Sequence, residues 1–353
     1  MSFLITILAL GIVIFIHELG HLIAAKVSGV GVYEFAVGMG PKVFSRTHGG
    51  TEYTLRAFPL GGFVKLAGMD DDDPDAVDPE LMFQNKPIQN RFLTISAGSL
   101  MNVLLGFFLF FLIFSFHGIP QSTQDIQKVF PDYPAAKAGV QAGDTVVSLN
   151  GNPISDLKKD FLSPVQNSEG APLLLTVMRN GVARDLSVSA VGGNDGRFVI
   201  GIQFASRQEM IGPIQAVSKA FFQTQYVIKQ VFRTFALLIK GDVAVEDLAG
   251  PVGIFQWASF ELKGSFWGFL GFMALISINL GLINLFPFPV LDGGHLVFLI
   301  IEAIIRKPLS PKLTGVINQV GAAALIALMC FIIFNDVVSW KERVQFFEGL
   351  KSP

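Results

Sequence analysis

The sequence predicts a polytopic α-helical membrane protein with four transmembrane helices, a membrane-associated β-hairpin region and one inserted, mostly β domain. Of the 353 residues, 51% are hydrophobic and only 15% are charged, and the mean hydropathy of +0.53 is far above that of ordinary soluble domains. Four apolar runs have about the 20 residues that a bilayer requires. Between the second and third runs, a long segment is more polar and contains alternating, strand-like stretches.

The predicted spanning helices cover residues 3–25, 93–116, 267–290 and 314–335. We interpret the first as a retained helix rather than a cleaved signal peptide, because it has no positively charged start and charged residues interrupt it. The net charge of −2 gives no indication of nucleic-acid binding, and the single cysteine, Cys330, excludes an intrachain disulfide. The predicted segments are 1–30, 31–92, 93–118, 119–206, 207–265, 266–293 and 294–353.

The first apolar run contains three ionisable side chains within five residues. His17, Glu18 and His21 spell H-E-x-x-H, and on a helix this spacing places both imidazoles on one face with the carboxylate beside them. Imidazole is a zinc ligand, whereas Glu18 is placed to take a proton from a water at the metal. A chance match is the alternative, but ionisable groups in a spanning helix are costly and need a partner such as a cation. The motif therefore predicts a zinc site with its own general base.

Residues 31–92 do not have the pattern of a helix. Glycines punctuate short runs such as 52–56 and 62–66, which predicts β-hairpins beside the first helix. The acidic run at 70–73 is interpreted as a solvated loop rather than a metal site, because no other ligand types are interleaved with it.

The next three segments predict a helix, a compact domain and a further helical region. In the second spanning run, Asn102 indicates close helix packing or a hydrogen bond across an interface. Residues 119–206 contain more charged residues and have Gly and Pro at predicted turn positions. Apolar and polar residues alternate in them as in strands, which predicts a mostly β domain. Residues 207–265 have a helical apolar pattern with interspersed basic residues, so we expect a helix on the membrane surface or over the core rather than a span.

The third spanning run carries Pro287 and Pro289, followed by Asp292. Two prolines so close together cannot lie in an unbroken helix, and irregular backbone at membrane depth is tolerated only against protein or a wet cavity. A catalytic zinc takes three protein ligands and leaves a fourth position open. Asp292 is therefore the candidate third ligand beside His17 and His21. The alternative role for Asp292 is to cap the following helix.

Four motifs are spread over nearly the whole chain: HELGH at 17–21, PLGGFVK at 59–65, Asn102, and NLFPFPVLDG at 284–293. Through them the chain resembles the site-2 protease family of intramembrane zinc metalloproteases, most closely its bacterial branch typified by RseP and RasP. Residues 129–151, with PAAKAGV at 134–140, resemble a PDZ domain. The chain has room for one such domain.

The resemblance implies hydrolysis of a peptide bond in or near the transmembrane segment of a single-span membrane protein, usually after another protease has removed an outer domain. Such regulated intramembrane proteolysis includes the cleavage of anti-sigma factors and signal-peptide remnants. The resemblance implies one Zn²⁺ per chain, held by His17, His21 and Asp292, with Glu18 activating the water. It also implies that part of the chain binds the substrate backbone, in part by strand addition, and that other residues pack around the site. The substrate-binding residues would be Gly38, Met39, Gly40, Asn284, Pro287 and Pro289, and the supporting residues Asn102 and Gly293.

Two other functions remain as alternatives. A membrane transporter with a midplane ion site would also use broken helices with Asn, Pro and Asp, but it predicts an inverted repeat, and none is visible in the sequence. A non-catalytic PDZ scaffold would leave Glu18 free to vary, whereas the ligand-plus-base set is intact.

The distribution of basic residues predicts an orientation in a bacterial inner membrane. Lys and Arg in short loops favour the cytoplasmic side. The loop after the first helix and the turn before the fourth are rich in them, whereas the residues before the first helix have none. We therefore expect the N-terminus, the PDZ domain and the C-terminus outside the cytoplasm, although Lys341 and Arg343 argue weakly the other way.

Overall fold

The computed structural model describes residues 2–69, 78–193, 197–242 and 250–340. The chain divides into two compact units, one of Met1–Ser115 with Gly212–Pro353 and one of Phe116–Ile211. The acidic run at 70–73 and the basic residues Lys341 and Arg343 lie outside the described residues.

The helices and strands follow in chain order. The helices are α1 Ser2–Val27, α2 Ile88–Phe116, α3 Pro134–Lys137, α4 Ser163–Gln166, α5 Pro213–Lys240, α6 Pro251–Gly264, α7 Phe266–Asn284, α8 Asp292–Ile305 and α9 Pro311–Val338. The strands are β1 Val32–His48, β2 Thr51–Leu66, β3 Ile119–Val129, β4 Thr145–Leu149, β5 Asn152–Pro153, β6 Pro172–Arg179, β7 Val182–Ser189, β8 Val191–Gly192, β9 Phe198–Val199 and β10 Ile202–Glu209. A π-helix, Leu157–Leu162, precedes α4.

Among the described residues, four helices are long and apolar enough to cross a membrane: α1 from Ile5, α2, α7 and α9. They correspond to the four predicted runs, with two differences in extent. α2 begins at Ile88 rather than near 93. α7 ends at Asn284 rather than near 290, because Pro287 has no N–H to continue the helix and its ring conflicts with the preceding turn.

The long strands β1 and β2 bend, so that they pair with each other in three regions. Their Cα pairs join 42–48 to 51–56, 34–39 to 52–58, and 32–37 to 62–66. Residues 62–66, here called the edge run, therefore form one border of the sheet. In the described part of the chain, no further strand pairs with this sheet.

Small residues let α2 pack closely against both α1 and α7. A Cβ on Gly20 of α1 would lie 2.5 Å from the carbonyl oxygen of Ala97 in α2. A Cβ on Gly281 of α7 would lie 2.6 Å from the carbonyl oxygen of Ser99. Such close backbone approach is a usual means of helix association in membranes. The middle of α2 is therefore held tightly between two other helices.

A buried ion pair joins the start of α2 to the end of α8. The Arg91 guanidinium donates to both carboxylate oxygens of Glu302, at 2.6 and 3.1 Å. Paired planar groups of this kind form strong, directional contacts. Glu302 thus binds a cationic side chain between two helices and is not a metal ligand.

The region after the inserted domain forms two helices. The buried side of α5, which includes Ala220 and Val227, packs with Phe110 of α2 and Ile278 of α7, whereas Lys229 is exposed. α5 therefore covers the helical core, which is one of the two arrangements predicted for this segment. α6 begins at Pro251, after residues that are not described.

A carboxylate of α9 caps α6. Asp336 is fully buried and accepts hydrogen bonds from the backbone N–H groups of Gly250, Val252 and Gly253, at 3.0–3.1 Å. The first N–H groups of a helix have no partner within the helix. Asp336 supplies that partner from another helix and so fixes α9 to α6.

The inserted unit, Phe116–Ile211, has its own sheet and core. The sheet order is β10-β3-β4-β6-β7, with β5 beside β4. Fully buried side chains such as Phe161, Leu175 and Val177 form its centre. Among the described residues, β10 lies at the end of this order, so one of its sides pairs with no strand of the sheet.

The inserted unit contains an ion pair between Arg179 and Asp144, which also binds the backbone of a neighbouring turn. Arg179 donates to both oxygens of Asp144, at 2.6 and 2.7 Å, and the Gln141 N–H donates at 2.9 Å. Burial by itself raises the pKa of Asp144, but these hydrogen bonds outweigh it and hold the pKa below its usual value. At pH values above the ordinary pKa of an aspartate, the pair therefore stabilises the unit. This stabilisation is lost as the pH falls through the lowered pKa of Asp144.

Candidate metal centre

His17 and His21 lie one turn apart on α1, and their imidazoles converge. The ring centroids are 4.9 Å apart with planes at 84°, and the two Nε2 atoms are separated by 3.3 Å. His17 is only 7% exposed. The predicted helical spacing therefore brings both Nε2 atoms to one point.

Asp292 is the first residue of α8 and faces the same point. Its Oδ2 lies 3.4 Å from Nε2 of His17 and 3.5 Å from Nε2 of His21. The N-cap of α8 is Leu291, without a side-chain capping bond. Asp292 is thus not the cap of its helix, and its carboxylate is available to a metal.

These three side chains fit a zinc ion. Zinc binds imidazole nitrogen and carboxylate oxygen at about 2.0–2.2 Å in a tetrahedral arrangement, which places neighbouring ligand atoms about 3.3–3.6 Å apart. The distance of 3.3 Å between the two Nε2 atoms and the distances of 3.4 and 3.5 Å from them to Oδ2 of Asp292 lie in this range. In the described part of the chain, the group able to hold a metal is His17, His21 and Asp292.

Partners on α2 set the tautomer of each imidazole. Nδ1 of His21 lies 2.8 Å from the carbonyl oxygen of Thr94, which can only accept, so this nitrogen carries the proton and leaves Nε2 free to bind metal. Nδ1 of His17 lies 3.4 Å from the Asn102 amide nitrogen. Oδ1 of Asn102 is buried and has no hydrogen-bond partner among the described residues. With that amide turned over, Oδ1 could accept from Nδ1–H of His17 and leave Nε2 free to bind metal.

Gly98 leaves room for one of the ligands. A Cβ at this position of α2 would lie 2.2 Å from Nε2 of His21. Any side chain here would therefore have to displace the imidazole. The absence of a side chain at Gly98 is a condition for the observed position of His21.

Glu18 shares a cavity with the ligands and lies beside the edge run. Val64 and Leu66 of the edge run line this cavity together with Glu18 and the three ligands. A Cβ on Gly62 would lie 3.1 Å from Cγ of Glu18. The predicted general base, the candidate metal ligands and the edge run therefore meet in one place.

The loop at 285–291 forms another wall of the cavity. Asn284, which ends α7, has its Nδ2 3.3 Å from Nε2 of His17. Val290 and Leu291 also line the cavity. Val290 has a φ of +77°, a strained conformation for a β-branched residue that persists only where the surroundings enforce it.

The prolines and Gly293 shape this loop. Pro287 and Pro289 are not among the described residues that line the cavity. Pro289 packs on α9, where a Cβ on Gly321 would lie 2.4 Å from Cβ of Pro289. A Cβ on Gly293 would lie 2.1 Å from the carbonyl oxygen of Phe286, so only glycine lets the loop fold back on α8.

The predicted substrate segment at 38–40 follows the part of β1 that pairs with the edge run. Met39 pairs with Phe58 and is 54% exposed. A Cβ on Gly38 or Gly40 would also meet Phe58, at 2.5 and 2.6 Å. None of the three residues is among the described residues that line the cavity. The run that does reach Glu18 is the edge run.

The sequence profile of peptidase family M50 matches residues 5–328. The chain belongs to peptidase family M50. This is the site-2 protease family, whose members are integral to membranes and depend on zinc. The resemblance noted in the sequence is thereby confirmed.

Curated relatives of this M50 peptidase cover nearly its whole length. Zinc metalloprotease RasP of Oceanobacillus iheyensis is 30% identical over 94% of this chain and 97% of its own. A Clostridium perfringens protein named as a candidate zinc metalloprotease is 33% identical over 96% of this chain and 99% of its own. A solved PDZ domain of an SdrC-like protein from Listeria monocytogenes, 18% identical, covers 25% of this chain and 92% of its own, with a TM-score of 0.22. The M50 peptidase is therefore a zinc metalloprotease.

Some contributors to the centre are not predicted from the sequence. Thr94 and Gly98 lie at intervals of four residues before Asn102 on α2, so a stripe of small and polar residues at helical spacing is the signal that could reveal them. The sequence predicts the edge run as part of a hairpin, but not its place at the border of the sheet beside Glu18. Its position depends on pairing with residues 32–37, which local sequence does not specify.

Proposed function

We propose that this M50 peptidase hydrolyses a peptide bond in or near the transmembrane segment of a single-span membrane protein. The metal-ligand set carries the proposal. His17 and His21 lie on α1, a helix apolar and long enough to cross a membrane, and Asp292 completes the set from α8. A site on such a helix meets substrates that are themselves embedded in the bilayer.

In this proposal, His17, His21 and Asp292 hold one Zn²⁺ per chain. Bound Zn²⁺ supplies a Lewis acid that polarises the scissile carbonyl and makes water more acidic. The Glu18 carboxylate takes the proton of the attacking water and delivers it to the leaving amide nitrogen. Asn284, which lines the cavity, donates a hydrogen bond to a carbonyl oxygen of the substrate.

The edge run would hold the substrate in an extended form. In lipid, every backbone polar group needs a partner within the protein, and a spanning helix meets this need internally. A substrate that unwinds for cleavage loses those hydrogen bonds. The free border at 62–66 replaces them by strand addition, and it does so beside Glu18. We propose that Gly38, Met39 and Gly40, which directly follow the residues of β1 paired with this border, support it.

The sheet of β1 and β2 would contact the bilayer. Large apolar side chains near its turns are exposed: Met39, Val43, Phe44 and Phe58 are each more than half exposed. Exposed apolar clusters of this kind are typical of surfaces that meet lipid or another protein. We propose that they immerse the turns of the sheet in the membrane, so that lipid is a partner of the protein.

The inserted unit would act as a PDZ domain that selects substrates. An apolar groove beside β10 is lined by Phe161, Val165, Ile202 and Phe204. PDZ domains add an extended segment to a strand border and bury alternate side chains in such a groove. A protein already cut by another protease offers a new chain end for this contact.

Cleavage by the purified protein tests the proposed function. We expect the zinc-loaded protein in lipid vesicles to cut single-span proteins inside their apolar segment, and to cut forms lacking the outer domain faster. Mass spectrometry of the products locates the cut, and a zinc chelator serves as the control. Cuts confined to soluble segments would contradict the proposal.

The orientation predicted from basic residues is tested by labelling. In a Cys330→Ala background, Ser122→Cys in the inserted unit is expected to react with an impermeant maleimide on intact cells. Thr47→Cys, exposed in β1, is expected to react only after the cells are opened. The reverse pattern would place the inserted unit and both termini in the cytoplasm.

A further inference from the structure

Ser99 lies in the middle of α2 and is fully buried. Its Oγ donates a hydrogen bond of 3.1 Å to Oδ2 of Asp292. The same Oδ2 lies 3.4 and 3.5 Å from the two imidazole Nε2 atoms. The hydroxyl therefore contacts the oxygen that faces the metal position.

This contact is unusual for a serine within a helix. Such a hydroxyl commonly donates to a carbonyl oxygen three or four residues earlier. Ser96, one turn before, does so, with its Oγ 3.4 Å from the carbonyl oxygen of Leu93. Ser99 instead reaches another helix. Its hydroxyl thus restrains the start of α8 rather than the backbone of α2.

Ser99 also completes a pattern on α2. Thr94 and Asn102 of this helix contact the imidazoles of the two histidine ligands. Together with the contact of Ser99 to Asp292, α2 therefore contacts all three proposed ligand side chains. Because α2 is itself packed tightly between α1 and α7, the three contacts share one rigid support.

We propose that Ser99 is a positioning residue for zinc, whose hydroxyl holds Asp292 in the orientation that binds the metal. This inference rests on the proposed zinc ligands. A carboxylate oxygen has room for a hydrogen bond and a metal at once, and hydrogen bonds to ionised groups are stronger than those between neutral ones. Groups that orient metal ligands typically change metal affinity by about 10–100-fold.

The test compares two serines of the same helix. Ser99→Ala and Ser96→Ala each remove one buried hydroxyl from α2. We expect Ser99→Ala to raise the dissociation constant for zinc by about tenfold or more, measured on the full-length protein against a chromophoric chelator. We also expect it to shift the visible absorption of the Co²⁺-substituted protein. Ser96→Ala should leave both close to wild type, and Ser99→Thr, which keeps a hydroxyl, should restore most of the affinity.

A double-mutant cycle then asks whether Ser99 acts through Asp292. In an Asp292→Asn background, Ser99→Ala is expected to have little further effect on the affinity for zinc or Co²⁺. The same fold-loss in both backgrounds would show that the hydroxyl acts elsewhere and would overturn the proposal.

Two further results would also overturn it. One is an affinity and a Co²⁺ spectrum of Ser99→Ala equal to those of Ser96→Ala. The other is metal-free Ser99→Ala protein that unfolds at a much lower temperature than Ser96→Ala, which would make Ser99 a packing residue. Wild-type protein that binds no zinc is a distinct outcome, because it removes the proposed ligand set itself.

Discussion

Replacing Glu18 by glutamine is expected to lower peptide-bond cleavage by about 10²–10⁴-fold, the usual contribution of a general base, while each chain keeps its zinc ion. Glu18 lines the cavity with the proposed metal ligands, but the described group able to hold a metal consists of His17, His21 and Asp292. The neutral amide has nearly the same shape as the carboxylate and cannot take a proton from water. Only the proton transfer should be lost.

Two measurements on the same preparation check this expectation. Zinc per chain is determined by elemental analysis, and cleavage of a single-span substrate is followed in lipid vesicles. Glu80→Gln, at an exposed position outside the cavity, is the matched control and should behave as wild type. Loss of zinc in Glu18→Gln would show that Glu18 is a metal ligand. Unchanged cleavage would show that Glu18 is not the general base.

Replacing Gly98 by alanine is expected to remove zinc as completely as His21→Ala does. The new Cβ would lie 2.2 Å from Nε2 of His21, the atom that we propose binds the metal. Because α2 is fixed between two helices, the imidazole must move and the helix cannot. Loss of one of three ligands leaves a site that no longer meets the requirements of a catalytic zinc.

Gly315→Ala is the control for this prediction. Gly315 also lies within a helix, α9, but a Cβ there would meet nothing within 4 Å. This variant should bind zinc normally and be at least as stable as wild type, since alanine favours helix more than glycine. Zinc content is measured for both variants by elemental analysis. Normal zinc binding by Gly98→Ala would mean that His21 does not occupy the described position.

The parts of the centre that follow a local rule are predictable from sequence. The helical period alone brings His17 and His21 together, and the zinc requirement for a third ligand singles out Asp292. Pro287 and Pro289 likewise predict the break after α7, although the exact end of the helix at Asn284 depends on the loop that follows.

The remaining parts depend on contacts between distant segments. Val64 reaches the cavity because residues 62–66 pair with 32–37, and no local pattern sets that register. From sequence alone, Ser99 is one small residue of an apolar helix and has no feature that separates it from an ordinary packing residue. Its contact with Asp292 arises only when α2 and α8 meet.

The proposed zinc ligands come from α1, near one end of the chain, and from α8, near the other. An ion held by both is a cross-link that closes a loop of most of the polypeptide. Closing so long a loop restricts the separated helices more than a local link would. In this proposal, a bound zinc ion would also stabilise the tertiary structure, and its binding energy would contribute to the association of the first helix with the last third of the chain.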